Sequence, residues 1–266
     1  VPTFCGPIFY SYFGKIKTDL FKNIERYLAR KSTGIIAISE IQKKELCEIH
    51  KIAPQEKTTV IPLGFDLDIF QENYESNRTH TRTKYEIDEN TVAVAIVGRL
   101  TAIKDHFFFL DVIEELDLQS DKKVKIFIVG DGDMKSEIEE RLIPMQKRGI
   151  QISLTSWIYD IAEFNAGMDI MCLTSKNEGT PVSLIEAQAS NIPVISTEVG
   201  GVADIVEENE TGFIIPRNNK SEFVSKLKLL VENDELRLKM KKKGWQNVHQ
   251  KYSYQRLAKD MEIYYQ

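Results

Sequence analysis

Three cysteines in 266 residues, Cys5, Cys47 and Cys172, leave an odd count and no close pair. The pattern fits reduced, buried thiols in a cytosolic protein better than it fits a disulfide framework. Long apolar runs are missing as well: no stretch is long enough to span a bilayer. So is a surplus of positive charge. The 35 Lys and Arg residues face 40 Asp and Glu, a net charge of −5 that argues against a nucleic-acid partner. No internal repeat or low-complexity tract is visible. What is there is core material, with 42% of residues hydrophobic, enough for one large or two small domains.

That material is ordered. Continuous apolar runs at 92–97, 124–129, 150–154, 169–173, 193–197 and 212–215 read as strands. Stretches at 105–116, 134–147, 158–166 and 181–190 read as helices between them. This alternation predicts a parallel, doubly wound α/β sheet, in which ligands bind beyond the carboxyl ends of the strands. Further helices are expected at 221–231, 234–248 and 252–265. Earlier in the chain the pattern predicts strands at 1–4, 34–38 and 58–62 and helices at 12–30 and 40–50. Phe13, Ile16, Leu20, Ile24 and Leu28 share one side of the first helix. Residues 71–90 are polar, lack either period and read as a linker. The alternation thus falls into two stretches, 1–70 and 91–250, joined by that linker, with a last helical segment at 251–266.

The segment from Thr174 to Ala187 carries the most chemistry. An apolar strand leads into Glu178-Gly179-Thr180-Pro181 and then into a helical run. Pro at a first helical position has a preset φ and no N–H to waste, which makes Thr180 the expected cap. The free amides of Val182, Ser183 and Leu184 would then form an anion site with the positive end of the helix dipole. Glu178 before the turn and Glu186 inside the helix can border the same crevice. A phosphate between two carboxylates that seek hydroxyls points to a sugar-phosphate ligand.

Three more motifs stand in order around it. Val97-Gly98-Arg99-Leu100 ends an earlier strand, with Lys104 five positions after Arg99; Val129-Gly130-Asp131-Gly132 follows a second; Glu198-Val199-Gly200-Gly201 follows a later one. Together with the two glutamates, which have seven residues between them, these motifs resemble the retaining GT-B glycosyltransferases of family 4, the group that includes sucrose synthases and bacterial mannosyltransferases. The resemblance runs from about Lys31 to the C-terminus, and four ordered motifs are far more specific than any one.

The resemblance implies a GT-B α/β fold: a complete Rossmann-like nucleotide-sugar domain at 91–250, an incomplete, acceptor-side N-terminal one at 1–70, and a C-terminal helix at 251–266 that crosses back to the first domain. A GT-B enzyme needs both, and the chain opens at Val1 in apolar sequence, so a fragment is expected. The activity implied is hexosyl transfer from a nucleotide sugar, UDP preferred by family frequency, to a glycan or lipid-linked acceptor in polysaccharide biosynthesis. Arg99 and Lys104 would neutralise the leaving phosphate, Glu178 would accept from sugar hydroxyls and Glu186 from ribose. Gly98, Gly179, Thr180 and Pro181 would shape the cradle. No cofactor and no metal are implied, since two cations and the helix amides can replace a divalent ion. The same-face mechanism proposed for the family lets the leaving phosphate itself take the acceptor's proton.

Blander readings stand beside these. A lone Arg and Lys are usually solvated surface, and both acids can be ordinary helix-start carboxylates, although Glu186 lies beyond the first turn. Gly130 and Gly132 can serve only a tight turn, and Gly200-Gly201 divides between that and ligand contact. Trp157 falls where relatives contact the base, yet its size favours the core. His106 reads as an ordinary helix residue. Cys5-Gly6 stands where relatives often carry His-Gly, which keeps a catalytically inactive nucleotide-binding module open as an alternative, alongside a GT-B sugar-nucleotide epimerase. Lys15, Lys17, Lys22, Arg26, Arg30 and Lys31 make the first helix basic: either a solvated face or a peripheral contact with the inner membrane surface.

Overall fold

Short apolar runs early in the chain build a small parallel sheet in the computed structural model, which describes residues 3–4 and 15–266. Its strands are β1 (Thr3–Phe4), β2 (Ile35–Ala37) and β3 (Thr58–Val60), in that order, with Ile35 and Ala37 fully buried. Helices α1 (Lys15–Lys31) and α2 (Glu40–Lys44) alternate with the strands. Ser39 caps α2 by accepting from the Gln42 amide at 3.1 Å. Residues 45–49 continue α2 as a single π turn. The expected apolar side of α1 stays open, with Leu20, Ile24 and Leu28 exposed. The Cys5-Gly6 pair lies outside the described residues.

The chain divides into two compact units, 1–65 with 251–266 and 66–250. In the second unit, β4 (Val92–Val97), β5 (Val124–Val129), β6 (Gln151–Thr155), β7 (Ile170–Leu173), β8 (Val194–Thr197) and β9 (Gly212–Ile215) form one sheet. All pairings are parallel and the order is β6-β5-β4-β7-β8-β9. The central strands are buried on both faces, which is why they read as unbroken apolar runs. Between them run α4 (His106–Asp117), α5 (Lys135–Lys147), α6 (Ile161–Ala166), α7 (Val182–Ala189) and the short α8 (Val202–Ile205). Helix α9 (Lys220–Glu232) packs on α4 and buries Phe223, Leu227 and Leu230. Each such side chain stabilises the fold by roughly 1.5–3 kcal/mol.

Residues 71–90 are not a structureless linker. They hold α3 (Tyr74–Lys84), which packs on α6 within the same unit. The helix is fastened by polar groups, and hydrophobic periodicity is blind to these. Arg78 and Arg82 pair with the buried Asp169 at 2.8 and 3.0 Å, and Thr81 donates to the Glu163 carbonyl at 2.8 Å. Asp169 also accepts from the Ala93 amide at 2.9 Å, so one carboxylate joins α3, β4 and the start of β7. Burial would raise its pKa, but Arg78, the Ala93 amide and Arg82 outweigh that and hold it below the usual range.

Helix α10 (Asp234–Tyr252) closes this unit, and α11 (Tyr254–Tyr265) belongs with the first sheet. There the Phe65 amide donates to the Tyr252 carbonyl at 2.8 Å and Ser253 caps α11.

Candidate active site

The strand order reverses between β4 and β7, so their connecting loops leave the sheet on opposite faces and open a crevice at the carboxyl ends. Gly98 and Arg99 follow β4, and Thr174 to Pro181 follow β7. The two loops are stitched together. The Lys176 amide donates to the Ile103 carbonyl at 2.7 Å, and Thr174 Oγ1 to the Lys104 and Asp105 carbonyls at 3.1 Å. Lys176 Nζ pairs with Asp105 at 3.3 Å.

Lys104 Nζ lies 2.6 Å from Glu178 Oε1, with the two side chains 20% and 10% exposed. Ser175 Oγ donates to the same oxygen at 2.5 Å. A third loop supports this pair from below. Gly200 has φ +46°, and a Cβ there would collide with the Glu178 carbonyl; one at Gly201 would collide with the Gly179 carbonyl. The Gly201 amide donates to that Gly179 oxygen at 3.2 Å, and Thr197 Oγ1 to the Ser175 carbonyl at 2.8 Å. Gly200-Gly201 is therefore required first by the backbone of the Glu178 loop.

Helix α7 begins one residue later than expected. Pro181, not Thr180, is the cap, and among the described residues no side chain caps the helix. The Leu184 amide donates to the Pro181 carbonyl at 3.1 Å, a tightened first turn, so Leu184 offers no free amide. Val182 and Ser183 have no backbone acceptor among the described residues and keep the anion-binding geometry. Glu186, half-buried one turn on, has no hydrogen-bond partner among the described residues, and burial pushes its pKa up to about 7. A carboxylate left this way is an acceptor seeking donors.

Arg99 is exposed, with no ion pair among the described residues. A Cβ at Gly98 would meet only the Lys104 stem at ordinary distance, so protein packing does not demand glycine there. Gly130 is different: at φ +147° its Cβ would strike the Gly98 carbonyl, and Gly132 similarly abuts Leu100, which places both in loop packing. Trp157 is not core but 50% exposed, on a loop after β6, the edge strand of the sheet, beside the fully exposed Tyr159. His106 opens α4 buried, and desolvation together with the Lys104 charge lowers its pKa to about 4, which keeps the ring neutral. Sequence reasoning missed Thr174, Ser175 and Thr197, whose hydroxyls knit the loops. Their signal was two hydroxyl residues directly past an apolar strand.

The family model for glycosyl transferases group 1 matches residues 77–246. The capsular polysaccharide biosynthesis glycosyltransferase CapM of Staphylococcus aureus is 28% identical over 254 residues, covering 92% of this chain and 66% of CapM. An Escherichia coli UDP-Gal:α-D-GlcNAc-diphosphoundecaprenol α-1,3-galactosyltransferase is 25% identical over 224 residues, covering 84% of this chain and 57% of that enzyme. The chain thus spans less than two thirds of either relative. Among solved structures, Anabaena HepE in complex with UDP superposes with a TM-score of 0.84 at 18% identity, over 98% of this chain and 70% of that one. A Rickettsia africae glycosyltransferase gives 0.82 at 23%, over 98% and 69%. The α/β fold with its parallel sheets matches these GT-B structures, and the chain belongs to the glycosyl transferases group 1 family.

Proposed function

We propose that the protein of which this chain is part transfers a hexosyl group, with retention, from a nucleotide sugar to a glycan or lipid-linked acceptor. The observation that carries this reading is the half-buried Glu186, without a hydrogen-bond partner among the described residues, one turn beyond the Val182 and Ser183 amides on the helix that follows the loop of the Lys104–Glu178 pair at the switch point. The diphosphate would lie on those two amides with Arg99 and Lys104, ribose hydroxyls on Glu186, and sugar hydroxyls on Glu178. A UDP donor is supported by the named donor of the E. coli relative and the UDP bound to HepE. The exposed Trp157 and Tyr159 offer apolar surface for the base.

In the reaction the bond from the anomeric carbon to the phosphate oxygen breaks, and a bond to the acceptor oxygen forms on the same face. The acceptor's proton passes to the leaving phosphate. Charge grows on that phosphate as the sugar becomes oxocarbenium-like, so cations fixed beside it act most strongly in the transition state. Membrane contact through the basic α1, at the inner face of the membrane, is part of the proposal, since a lipid-linked acceptor would be presented there. Among the described residues no helix is long and apolar enough to cross a membrane. Calorimetry with UDP, GDP and ADP tests the donor class, and NMR of the product's anomeric configuration tests retention. No binding of any nucleotide by folded protein would remove the reading.

A further inference from the structure

We propose that a cleft of about 250 Å³ at the amino ends of β4 and β7, on the far side of the sheet from Lys104 and Glu178, is a second anion site for a small soluble phosphate-bearing ligand. Thr91 and Val92 at the start of β4, and Asp169 just before β7, line it. A strand the length of β4 separates the two sites by roughly 20 Å. Nothing in the proposed transfer uses this end.

Most of the charge in the cleft is closed within the fold. Arg78 and Arg82 hold Asp169 and donate to the carbonyls of Ala166 and Gly167 at the end of α6. Arg237 holds Asp234 at 2.6 Å and donates to the Leu230 and Val231 carbonyls at the end of α9. Among the described residues the bonds of Arg82 and Arg237 use the terminal nitrogens and leave each of these two guanidinium groups its Nε–H.

Lys241 is not closed. It is half-buried on α10, has no hydrogen bond or ion pair among the described residues, and faces Arg78, Arg82 and Arg237. Desolvation lowers its pKa first; Asp169 opposes that and the three arginines add to it. Asp169 is already shared by two arginines and the Ala93 amide, so it cannot neutralise the ammonium as well. With Lys122 and Glu89 exposed at the mouth, five cations face three carboxylates. An excess of two positive charges matches a phosphomonoester dianion better than a halide or a carboxylate. Phosphate oxygens can accept from an ammonium and from Nε–H groups together. Among the described residues no protein acceptor serves this ammonium, so a ligand oxygen can take that place without breaking a bond within the fold.

The test is the rate at which an amine-reactive acetylating reagent modifies Lys241 in the intact chain, read by mass spectrometry at constant ionic strength. Replacing chloride with millimolar inorganic phosphate or glycerol phosphate should slow Lys241 at least fivefold and leave the exposed Lys242 unchanged. Equal rates in chloride and phosphate would overturn the proposal, as would protection by phosphatidic-acid vesicles alone, which would make the ligand a lipid headgroup. A second measurement separates this site from the first. With the first site weakened by Arg99→Ala, phosphate should still raise the Tm, and that rise should shrink clearly in the Arg99→Ala/Lys241→Met double variant. An equal rise in the two variants would also refute it, and if the double variant does not fold the acetylation result decides alone.

Discussion

Lys104 Nζ and Glu178 Oε1 stand 2.6 Å apart, although 74 positions separate the two residues in sequence. The cation that would meet the leaving phosphate and the carboxylate that would meet the sugar therefore act as one unit. Ser175 fixes the same carboxylate oxygen, and the Gly200-Gly201 backbone fixes the loop beneath it. A pair this closed to solvent holds its geometry before any ligand arrives, which is what stabilising a developing charge requires.

That unity is measurable. Lys104→Met should remove about 2–4 kcal/mol of transition-state stabilisation, the range for losing one preorganised group. Glu178→Gln should also slow transfer. The double variant should fall short of the sum by about 0.5–3 kcal/mol, because contacting residues couple. Strictly additive losses in kcat/KM would show that the two residues work independently.

Arg99 offers the opposite case. It is exposed and makes no ion pair among the described residues, so Arg99→Ala should leave stability within about 0.5 kcal/mol of the parent. Transfer should nonetheless drop by about 2–4 kcal/mol in kcat/KM. Urea melts and kinetics on the same preparation check both halves. Normal activity in the variant would reassign Arg99 to plain surface.

The sheet was legible because its strands are apolar on both faces, and 92–97, 124–129 and 212–215 carry the boundaries read from sequence. The positions of Arg99, Glu178 and Gly200 past strand ends followed from the same reading. Helix α3 was not legible, since its anchors are Arg78, Thr81 and Arg82, and polar anchoring leaves no apolar stripe. The exposure of Trp157 was missed because residue size predicts burial only where other elements cover the site. The Lys104–Glu178 bond depends on how two loops meet, which no local pattern encodes.

Transfer is expected to proceed without a divalent metal, because Arg99, Lys104 and the Val182 and Ser183 amides can neutralise the phosphate. Rates measured with EDTA and with added Mg²⁺ or Mn²⁺ should agree within about twofold. An activity that vanishes in EDTA and returns with either ion would show that these groups are too few.

Glu186 should give the protein a pH signature. Burial raises its carboxyl from the ordinary 4.5 to about 7. Below the ordinary value both folded and unfolded chains hold the proton, and the residue costs nothing. As pH rises toward 7 the unfolded chain releases a proton that the folded one keeps, so stability falls through this window and levels off above it. The full loss is at most about 3.5 kcal/mol, because a tenfold difference in proton affinity between the two states is worth about 1.4 kcal/mol. Glu186→Gln should remove this component: relative to the parent, the variant should gain stability between pH 5 and pH 8 in urea melts. Donor binding should move the other way. Ribose hydroxyls donate to the ionised carboxylate, so affinity for a UDP-sugar, which does not itself titrate in this range, should rise from pH 6 to pH 8 in the parent and stay flat in Glu186→Gln. Parallel pH profiles for the two proteins, in both melting and binding, would place Glu186 outside the donor site.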